Sequence, residues 1–315
     1  MRKIIINGVE IGPGTSTQVN LNSYRLPTRT VIDIPVYVFR AKKEGPVVLF
    51  LAGMHGDEIN GIEIIRNLIV NKTFNNLKKG TIIAIPVINI ISFVYGTRSL
   101  PDGRDLNRSF PGSEGGSLGG RIAHDLMREI IQQIDFGVDF HTGGASKSNF
   151  PQIRCVFSEP GNLELAKQFG AVFIINSGLR EQTLRKEAFR KGKKILVYEG
   201  GESSRFDRFA IDQGIKGCKR LLHAKGMLNE NPKGDEPLII NKTTWVRAKN
   251  SGLFHYYKTN GSQVKKNEII GVITDPYGEF ETEIHAPVDG YIIGINNLPV
   301  INRGDAIIHI GIKGL

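Results

Sequence analysis

Apolar runs and helical spacings alternate along the first two thirds of the chain. Residues 47–51 form an uninterrupted apolar run, which is typical of a strand buried on both faces of a parallel sheet. A helix with one apolar face is predicted next, from the spacing of Ile59, Ile62, Ile65 and Ile69. A second buried strand is predicted over residues 81–87. This alternation favours an α/β domain with a mostly parallel or mixed sheet flanked by helices.

The alternation of predicted strands and helices continues to about residue 200. Residues 118–134 predict a second amphipathic helix, and apolar runs at residues 136–140, 172–175 and 195–198 predict further strands. Residues 1–45 are expected to form only short strands and turns, including the alternating run at residues 36–39. Sites in sheets of this kind gather at the carboxyl ends of the strands.

The pattern changes after a polar linker rich in Pro, Asn and Gly at residues 229–237. Helical spacing disappears beyond it, and short β-type runs replace it. Residues 251–270 resemble residues 289–307 in the order of their glycines and apolar positions, which indicates a small β-sandwich or barrel with pseudo-twofold character. We therefore predict a catalytic domain over residues 1–232, with N-terminal strands at 1–45, and an all-β domain over residues 238–315.

Composition narrows the class of protein. The 315 residues are 40% hydrophobic and 23% charged, which fits a folded domain and excludes a disordered chain. The longest apolar stretch, residues 47–54, is too short to span a bilayer, and the amino terminus lacks the pattern of a secretion signal. Two cysteines provide neither a disulfide framework nor a thiolate metal cage. We expect a cytoplasmic protein with no membrane partner.

The net charge of +10 would suit a nucleic-acid binder, a membrane-surface protein or an enzyme for anionic substrates. Lys and Arg are scattered, however, without a long basic run or an aromatic-interleaved RNA motif. We therefore expect no nucleic-acid partner, and we expect the positive field to attract a small acidic molecule.

Two histidines and a glutamate have the residue types of a zinc site. His55 and Glu58 lie between a predicted strand end and the first turn of a helix, and His141 closes another predicted strand. Two histidines and one carboxylate, with a fourth position open, form a hydrolytic zinc site. Alternatively, Glu58 favours the helix amino terminus by its charge and both histidines are structural.

A loop rich in arginine follows, at residues 104–112, with Arg98 upstream. Guanidinium groups such as those of Arg104 and Arg108 match a carboxylate bidentately, so the loop predicts recognition of an acidic substrate. The alternative is a solvated loop held by local salt bridges.

A further carboxylate is placed to act as a base. Glu199 ends a predicted strand before two glycines, where it can face an activated water and take its proton. Glu202 is a rival for this role, and either carboxylate could simply cap a turn.

Taken in order, HGDE at residues 55–58, RDLNRSFPG at 104–112, DFHT at 139–142 and YEGG at 198–201 resemble the succinylglutamate desuccinylase and aspartoacylase family. These enzymes are the deacylase branch of the zinc carboxypeptidase superfamily. The resemblance covers residues 30–225 and, less specifically, the β-rich tail. It implies a zinc-carboxypeptidase-like fold and cleavage of an amide bond.

The resemblance also implies roles. His55, Glu58 and His141 would bind one zinc ion per chain, and Glu199 would be the base and then the proton donor. The substrate carboxylate would be bound by Asn107 and Arg108. Further roles are implied for the following residues: Arg98, which would polarise the scissile carbonyl, Arg104, which competes for that role, Asp105, which would hydrogen-bond to a ligand histidine, and Arg154, which would touch substrate.

The tail also resembles a biotinyl- or lipoyl-type barrel, particularly at residues 285–290. A carrier of that type needs a lysine at the exposed hairpin between its halves, and residues 275–280 contain none. We therefore expect no attached cofactor, and we expect the tail to cap the active-site entrance or to pack against another subunit. The remaining histidines are expected to be structural: His124, His223, His255, His285 and His309.

The resulting hypothesis is a zinc-dependent deacylase of an N-acylated amino acid or similar small acidic amide. A metallocarboxypeptidase for short peptides would use the same ligands and carboxylate clamp. A non-catalytic binding protein on the same fold is the third alternative, and it would need no stoichiometric zinc. Homo-oligomerisation stays open.

Overall fold

A computed structural model of the protein describes residues 2–26 and 28–313. Its strands, in chain order, are β1 (Ile5–Ile6), β2 (Val9–Glu10), β3 (Ser16–Arg25), β4 (Val31–Arg40), β5 (Val47–Leu51), β6 (Thr81–Ile85), β7 (Phe136–Gly143), β8 (Lys147–Cys155), β9 (Phe173–Asn176), β10 (Lys194–Glu202), β11 (Leu238–Arg247), β12 (Gly252–Tyr256), β13 (Gln263–Val264), β14 (Ile269–Thr274), β15 (Glu281–His285), β16 (Gly290–Asn296), β17 (Val300–Ile301) and β18 (Ala306–Lys313).

The helices lie between these strands. They are α1 (Ile59–Val70), α2 (Ile90–Tyr95), α3 (Leu118–Asp125), α4 (Asn162–Phe169), α5 (Leu184–Arg190) and α6 (Arg208–Ala224). Helix α3 continues as a π-helical segment, Leu126–Ile131, and two short 3-10 turns occur at Thr73–Asn76 and Leu106–Arg108. No helix in the described ranges is both long and apolar enough to cross a membrane.

A twelve-stranded mixed sheet is the centre of the fold, in the order β13-β16-β18-β11-β9-β8-β10-β7-β5-β6-β4-β3. Strands β10, β7, β5 and β6 are mutually parallel, whereas β8 runs antiparallel to β10 and β4 antiparallel to β6. Every residue of β5, β6 and β7 is buried. Alternate residues of β5 therefore enter two different cores, one on each face, as expected for a sheet covered by helices on both sides. The predicted mixed sheet with flanking helices is confirmed.

Several element boundaries differ from the prediction. Strand β5 spans the predicted residues, but the helix predicted over residues 118–134 is α in its first part, π in its second and ends at Ile131. The expectation of only short strands before residue 45 was wrong, since β3 and β4 each have ten residues. Most polar positions of β3 face solvent at the edge of the sheet, and this weakened the hydrophobic signal.

The strands beyond the linker extend the same sheet. Strand β11 pairs in parallel with β9, and β16 pairs antiparallel with β8. A second sheet of four strands, β15-β14-β12-β17, shares an apolar core with them. The boundary between residues 1–232 and 238–315 stays a prediction, and the backbone hydrogen bonds run across it.

The two repeated halves exchange their middle strands. The first half contains β12, β13 and β14, and the second contains β16, β17 and β18. Strand β12 pairs with its own third strand, β14, and with β17 of the other half. Strand β16 likewise pairs with β18 and with β13. This reciprocal pairing gives the tail a pseudo-twofold arrangement of strands, in two packed sheets.

Candidate active site

The fold brings the three predicted metal ligands together. Strands β5 and β7 are parallel neighbours, so their carboxyl ends meet at one edge of the sheet. His55 and Glu58 lie between β5 and α1, and His141 lies near the end of β7. One ligand atom from each residue can be chosen so that all three atoms lie within 4.8 Å of one another.

Glu58 lies between the two imidazoles. Its Oε1 is 2.8 Å from Nδ1 of His55, and its Oε2 is 2.8 Å from Nδ1 of His141. The backbone N–H of Thr142 donates to Oε2 at 3.2 Å. The Glu58 side chain is only 2% exposed, so these atoms are screened from bulk water.

An aspartate holds the outer nitrogen of each imidazole. Nε2 of His55 lies 3.0 Å from Oδ1 of Asp105, the contact expected for that residue. Nε2 of His141 lies 2.9 Å from Oδ2 of Asp139. Such partners fix ring orientation and raise the basicity of a metal ligand. Asp139 was missed from the sequence, although its place two residues before His141 on one strand face was the available signal.

The electrostatics of the triad favour positive charge at its centre. Burial alone would raise the pKa of Glu58, but the charges of His55 and His141 outweigh burial and hold that pKa well below its ordinary value. Burial would lower the pKa values of both histidines. For His55, the charge of Glu58 and a hydrogen bond to Asp105 raise its pKa instead. For His141, Asp139 and Glu58 do the same. A divalent cation would meet the same attraction.

These residues fit a zinc ion. Two imidazole nitrogens and one carboxylate are a common donor set for hydrolytic zinc. The ligands are buried, close to one another and supported by outer hydrogen bonds, which are the requirements for a preformed site.

A glycine allows the ligand loop to pack closely. A Cβ atom added to Gly56 would lie 1.9 Å from the backbone carbonyl of Ser92 in α2. Any larger residue would therefore push the loop between His55 and Glu58 away from α2. The positive φ of Gly53, 63°, provides the turn that leads out of β5.

Glu199 faces the triad from the neighbouring strand. In the parallel pairing of β10 with β7, Glu199 lies directly beside His141, so both side chains line one cavity of about 530 Å³. Oε2 of Glu199 accepts a hydrogen bond from Nδ2 of Asn149 at 2.7 Å, and Oε1 lies 3.4 Å from Nη1 of Arg154. Glu202 does not line this cavity and lies near Arg205. Position therefore favours Glu199.

The predicted arginines separate by location. Arg98 donates from Nη1 to Glu58 at 3.1 Å and from Nη2 to Asp105 at 2.9 Å. Arg108 and Arg154 also line the cavity. Arg104 does not: its side chain is 63% exposed and lies 3.7 Å from Asp102. Of the two rivals for the carbonyl, only Arg98 is close to the triad.

Asn107 connects the arginine loop to a second loop. Its side-chain Oδ1 accepts a hydrogen bond from the backbone N–H of Leu184 at 3.0 Å, at the start of α5. The amide N–H groups of Asn107, which also lines the cavity, stay available to a ligand.

The second loop, residues 177–185, contributes cavity residues that the sequence did not single out. Among them are Arg180 and Arg185. Burial, followed by the charge of Arg154, lowers the pKa of Arg185. Its Nη2 donates to Ser177 Oγ at 3.3 Å and to the carbonyl of Gly178, whereas Nη1 is buried with no partner among the described residues. The cavity lining thus includes a guanidinium without a carboxylate partner among the described residues, a group suited to an anion.

The carboxyl-terminal strands also reach the cavity. Trp245 of β11 lines it, and its indole stacks on the imidazole of His309 at 4.2 Å between ring centroids. Burial, with a smaller effect from Arg154, lowers the pKa of His309 to about 3, so this ring is neutral at pH 7. The tail therefore forms part of the cavity wall through Trp245, and its predicted role in capping the entrance or packing against another subunit stays a prediction.

None of the five histidines outside the triad lines the cavity. His124 lies 3.3 Å from Asp125, and His223 contacts the carbonyl of Asn229. His285 contacts the carbonyl of Asn267, and His255 lies near Thr274.

Comparison with known proteins adds independent information. Residues 44–224 match the succinylglutamate desuccinylase/aspartoacylase catalytic domain. N-alpha-acetyl-L-2,4-diaminobutyric acid deacetylase of Halomonas elongata is 30% identical over 291 residues, which cover 87% of this chain and 84% of that protein.

Solved structures agree in fold. A succinylglutamate desuccinylase/aspartoacylase from Rhodobacter sphaeroides has a TM-score of 0.86 at 25% identity, covering 98% of both chains. The product-bound ectoine utilization protein EutE (DoeB) of Ruegeria pomeroyi has a TM-score of 0.84 at 24% identity, covering 95% of both chains. The likeness extends over both the catalytic region and the β-rich tail.

Proposed function

Because the chain belongs to the succinylglutamate desuccinylase/aspartoacylase family, we propose that it is a zinc-dependent deacylase that hydrolyses the amide bond of a small N-acyl amino acid. We infer that it acts in the cytoplasm. The observation that carries the proposal is the buried triad of His55, Glu58 and His141, with Glu199 on the same cavity.

His55, Glu58 and His141 would hold the zinc ion. When bound, zinc supplies Lewis acidity, which lowers the pKa of a water molecule to about 7 and polarises the acyl carbonyl. Asp105 and Asp139 keep the two imidazoles oriented with their Nδ1 atoms toward Glu58.

Glu199 moves the proton. Its carboxylate takes a proton from the attacking water, whose oxygen forms the new bond to the acyl carbon. When the carbon–nitrogen bond breaks, Glu199 returns that proton to the leaving amine, so the products are a carboxylic acid and an amine. Arg98 is close enough to the triad to stabilise negative charge on the carbonyl oxygen, a contribution of roughly 3–4 kcal/mol for one well-placed donor.

The substrate carboxylate is assigned to Asn107 and Arg108. Both line the cavity, and burial lowers the pKa of Arg108 against the opposing charge of Asp105. The guanidinium can bind a carboxylate through two parallel hydrogen bonds, which orients the amide toward the triad. Arg154 stays a candidate substrate contact from its place beside Glu199.

The test compares two glutamates. Zinc-loaded wild type, Glu199→Gln and Glu202→Gln would be assayed on a panel of N-acyl amino acids, with dipeptides alongside. We expect Glu199→Gln to retain zinc and lose roughly 10²- to 10⁴-fold in kcat, and Glu202→Gln to keep wild-type turnover. Turnover of dipeptides alone would replace the deacylase proposal by the carboxypeptidase alternative. Full activity of Glu199→Gln would refute the base.

A further inference from the structure

We propose that Asn149 positions Glu199 for proton transfer, and that the carboxyl-terminal strands hold Asn149 in that position. This inference rests on the proposed role of Glu199 as the base. It assigns the tail a part in the reaction step, beyond forming a wall of the cavity.

The contact itself is short and buried. Nδ2 of Asn149 donates to Oε2 of Glu199 at 2.7 Å, and Asn149 is only 8% exposed. An amide that donates to a carboxylate makes a charge-assisted hydrogen bond, which fixes both the position and the rotation of the acceptor. The other oxygen of Glu199 then stays nearer to Arg154, at 3.4 Å. Among the described residues, the hydrogen bond from Asn149 is thus the shortest polar contact of the Glu199 carboxylate.

The pairing of β8 with β10 is irregular beside Asn149. Glu199 lies opposite Gln152, and Gly201 lies opposite Asn149, so three steps along β8 match two steps along β10. The extra residue falls at Phe150 or Pro151. Strand β10 is irregular here too, with a register shift against β7 between Glu199 and Glu202 and a φ of 80° at Gly201. Both strands therefore depart from regular alternation where Asn149 reaches Glu199. Proline in a strand is tolerated at such bulges.

A glycine of the tail leaves room for the Asn149 side chain. Gly294 of β16 lies directly beside Asn149 in the sheet, and a Cβ atom added to it would lie 2.8 Å from Oδ1 of Asn149. On the other side of Gly294, His309 and Trp245 continue the same row across β18 and β11. The Asn149 amide therefore occupies a notch in the tail.

Hydrogen bonds from the tail hold β8 on both sides of Asn149. Before it, the backbone N–H of Asn297 donates to the Ser146 carbonyl at 2.9 Å, and Asn260 Nδ2 donates to Ser148 Oγ at 2.8 Å. After it, Gln152 Nε2 donates to the carbonyl of Ile293 at 3.0 Å. The segment that contains Asn149 is thus fixed by residues from three places beyond position 250.

The first experiment separates hydrogen-bond donation from the filling of space. Asn149→Asp keeps the shape of the side chain but removes the donor and places a like charge beside Glu199. We expect Asn149→Ala to lower kcat about 10- to 100-fold with KM within about twofold of wild type, and Asn149→Asp to lose at least as much. Near-normal kcat for Asn149→Asp would overturn the inference. Zinc content and thermal stability are measured on each variant.

The second experiment tests whether Gly294 of the tail leaves the space that the Asn149 amide occupies. Gly294→Ala should displace the Asn149 amide and lower kcat without raising KM. The double variant with Asn149→Ala should be no slower than Asn149→Ala alone, since both changes break the same contact. Gly311→Ala is the matched control: it adds a methyl to β18 against Ile240 and Ile293, away from Asn149, and should keep wild-type kcat. Wild-type kcat for Gly294→Ala, or additive losses in the double variant, would refute the role of the tail.

Glu199→Gln distinguishes this inference from the proposed function. If Glu199→Gln is inactive and Asn149→Asp is normal, the base stands and the positioning role fails. If Glu199→Gln is fully active, both fail.

Discussion

Two walls of the same cavity differ in how their polar and charged groups are partnered. On one wall, the polar groups of His55, Glu58 and His141 are buried and nearly all partnered within the protein. On the other wall, Arg108, Arg180 and Arg185 carry positive charge, and no carboxylate of the described residues lies within ion-pair distance of them. The polar atoms of the first wall are paired with one another and with neighbouring aspartates. The guanidinium groups of the second wall have no carboxylate of the described residues paired with them.

The difference teaches which partner each wall is built for. A cation fits between ligands that already attract positive charge and are already oriented. Guanidinium groups that line a cavity without a carboxylate partner are suited to anions that arrive from solution. We therefore expect damage to the first wall to abolish the reaction step, and damage to the second to weaken substrate binding.

The largest effect is expected from changes in the first wall, which contains His55, Glu58 and His141. His141→Ala removes one of three proposed ligands, so we expect loss of stoichiometric zinc and a fall in kcat/KM of at least about 10⁴-fold. His124→Ala, on the partly exposed face of α3, is the control and should keep both properties. Metal analysis and initial rates measure the two effects. Retention of zinc and turnover by His141→Ala would remove the triad from the account.

Changes in the second wall, which contains Arg108, should raise KM. Arg108→Ala removes a bidentate donor, so we expect KM for N-acyl amino acids to rise about 10²-fold while kcat changes little. Arg104→Ala is the matched control, because that side chain is exposed and lies outside the cavity. If Arg104→Ala raises KM and Arg108→Ala does not, the two arginines have the opposite roles.

A smaller effect is expected from Asp139, which contacts the proposed ligand His141. Asp139→Asn keeps an acceptor near Nε2 of His141 but removes its charge, so we expect zinc affinity to fall about 10- to 100-fold. Asp212→Asn, an exposed change on α6, should leave affinity unchanged. Competition with a chelator of known zinc affinity gives the ratio. Equal affinity for both variants would show that Asp139 does not support the ligand.

The smallest effect concerns the pH dependence of stability, through His309, which stacks on Trp245. Burial, aided by Arg154, lowers the pKa of His309 to about 3 in the folded protein, against 6.5 for the free side chain. The unfolded chain therefore binds the extra proton between these values, and stability is lost as the pH falls from 6.5 toward 3. Between pH 7 and pH 5, protonation of this residue in the unfolded chain should lower the free energy of unfolding by about 2 kcal/mol. His309→Phe, which retains a ring against Trp245, should lose that much less on acidification in denaturant unfolding. Equal losses for both proteins would contradict the shifted pKa.

The convergence of His55, Glu58 and His141 could be predicted from the sequence because its signals are local. His55, Glu58 and His141 lie at the ends of apolar runs, and the parallel sheet rule brings such ends together. Strand β8 could not be predicted in the same way, because Pro151 and polar residues interrupt its pattern. Arg185, Asn149 and Trp245 depend on which distant strands become neighbours, and no local pattern records that.

The central claim is tested most directly by returning zinc to chelator-stripped wild-type protein while hydrolysis of an N-acyl amino acid is followed. We predict that stripping abolishes turnover and that activity rises in proportion to added zinc until one ion per chain is bound. Turnover that survives complete removal of the metal, or stripped protein that binds no zinc, would contradict the account.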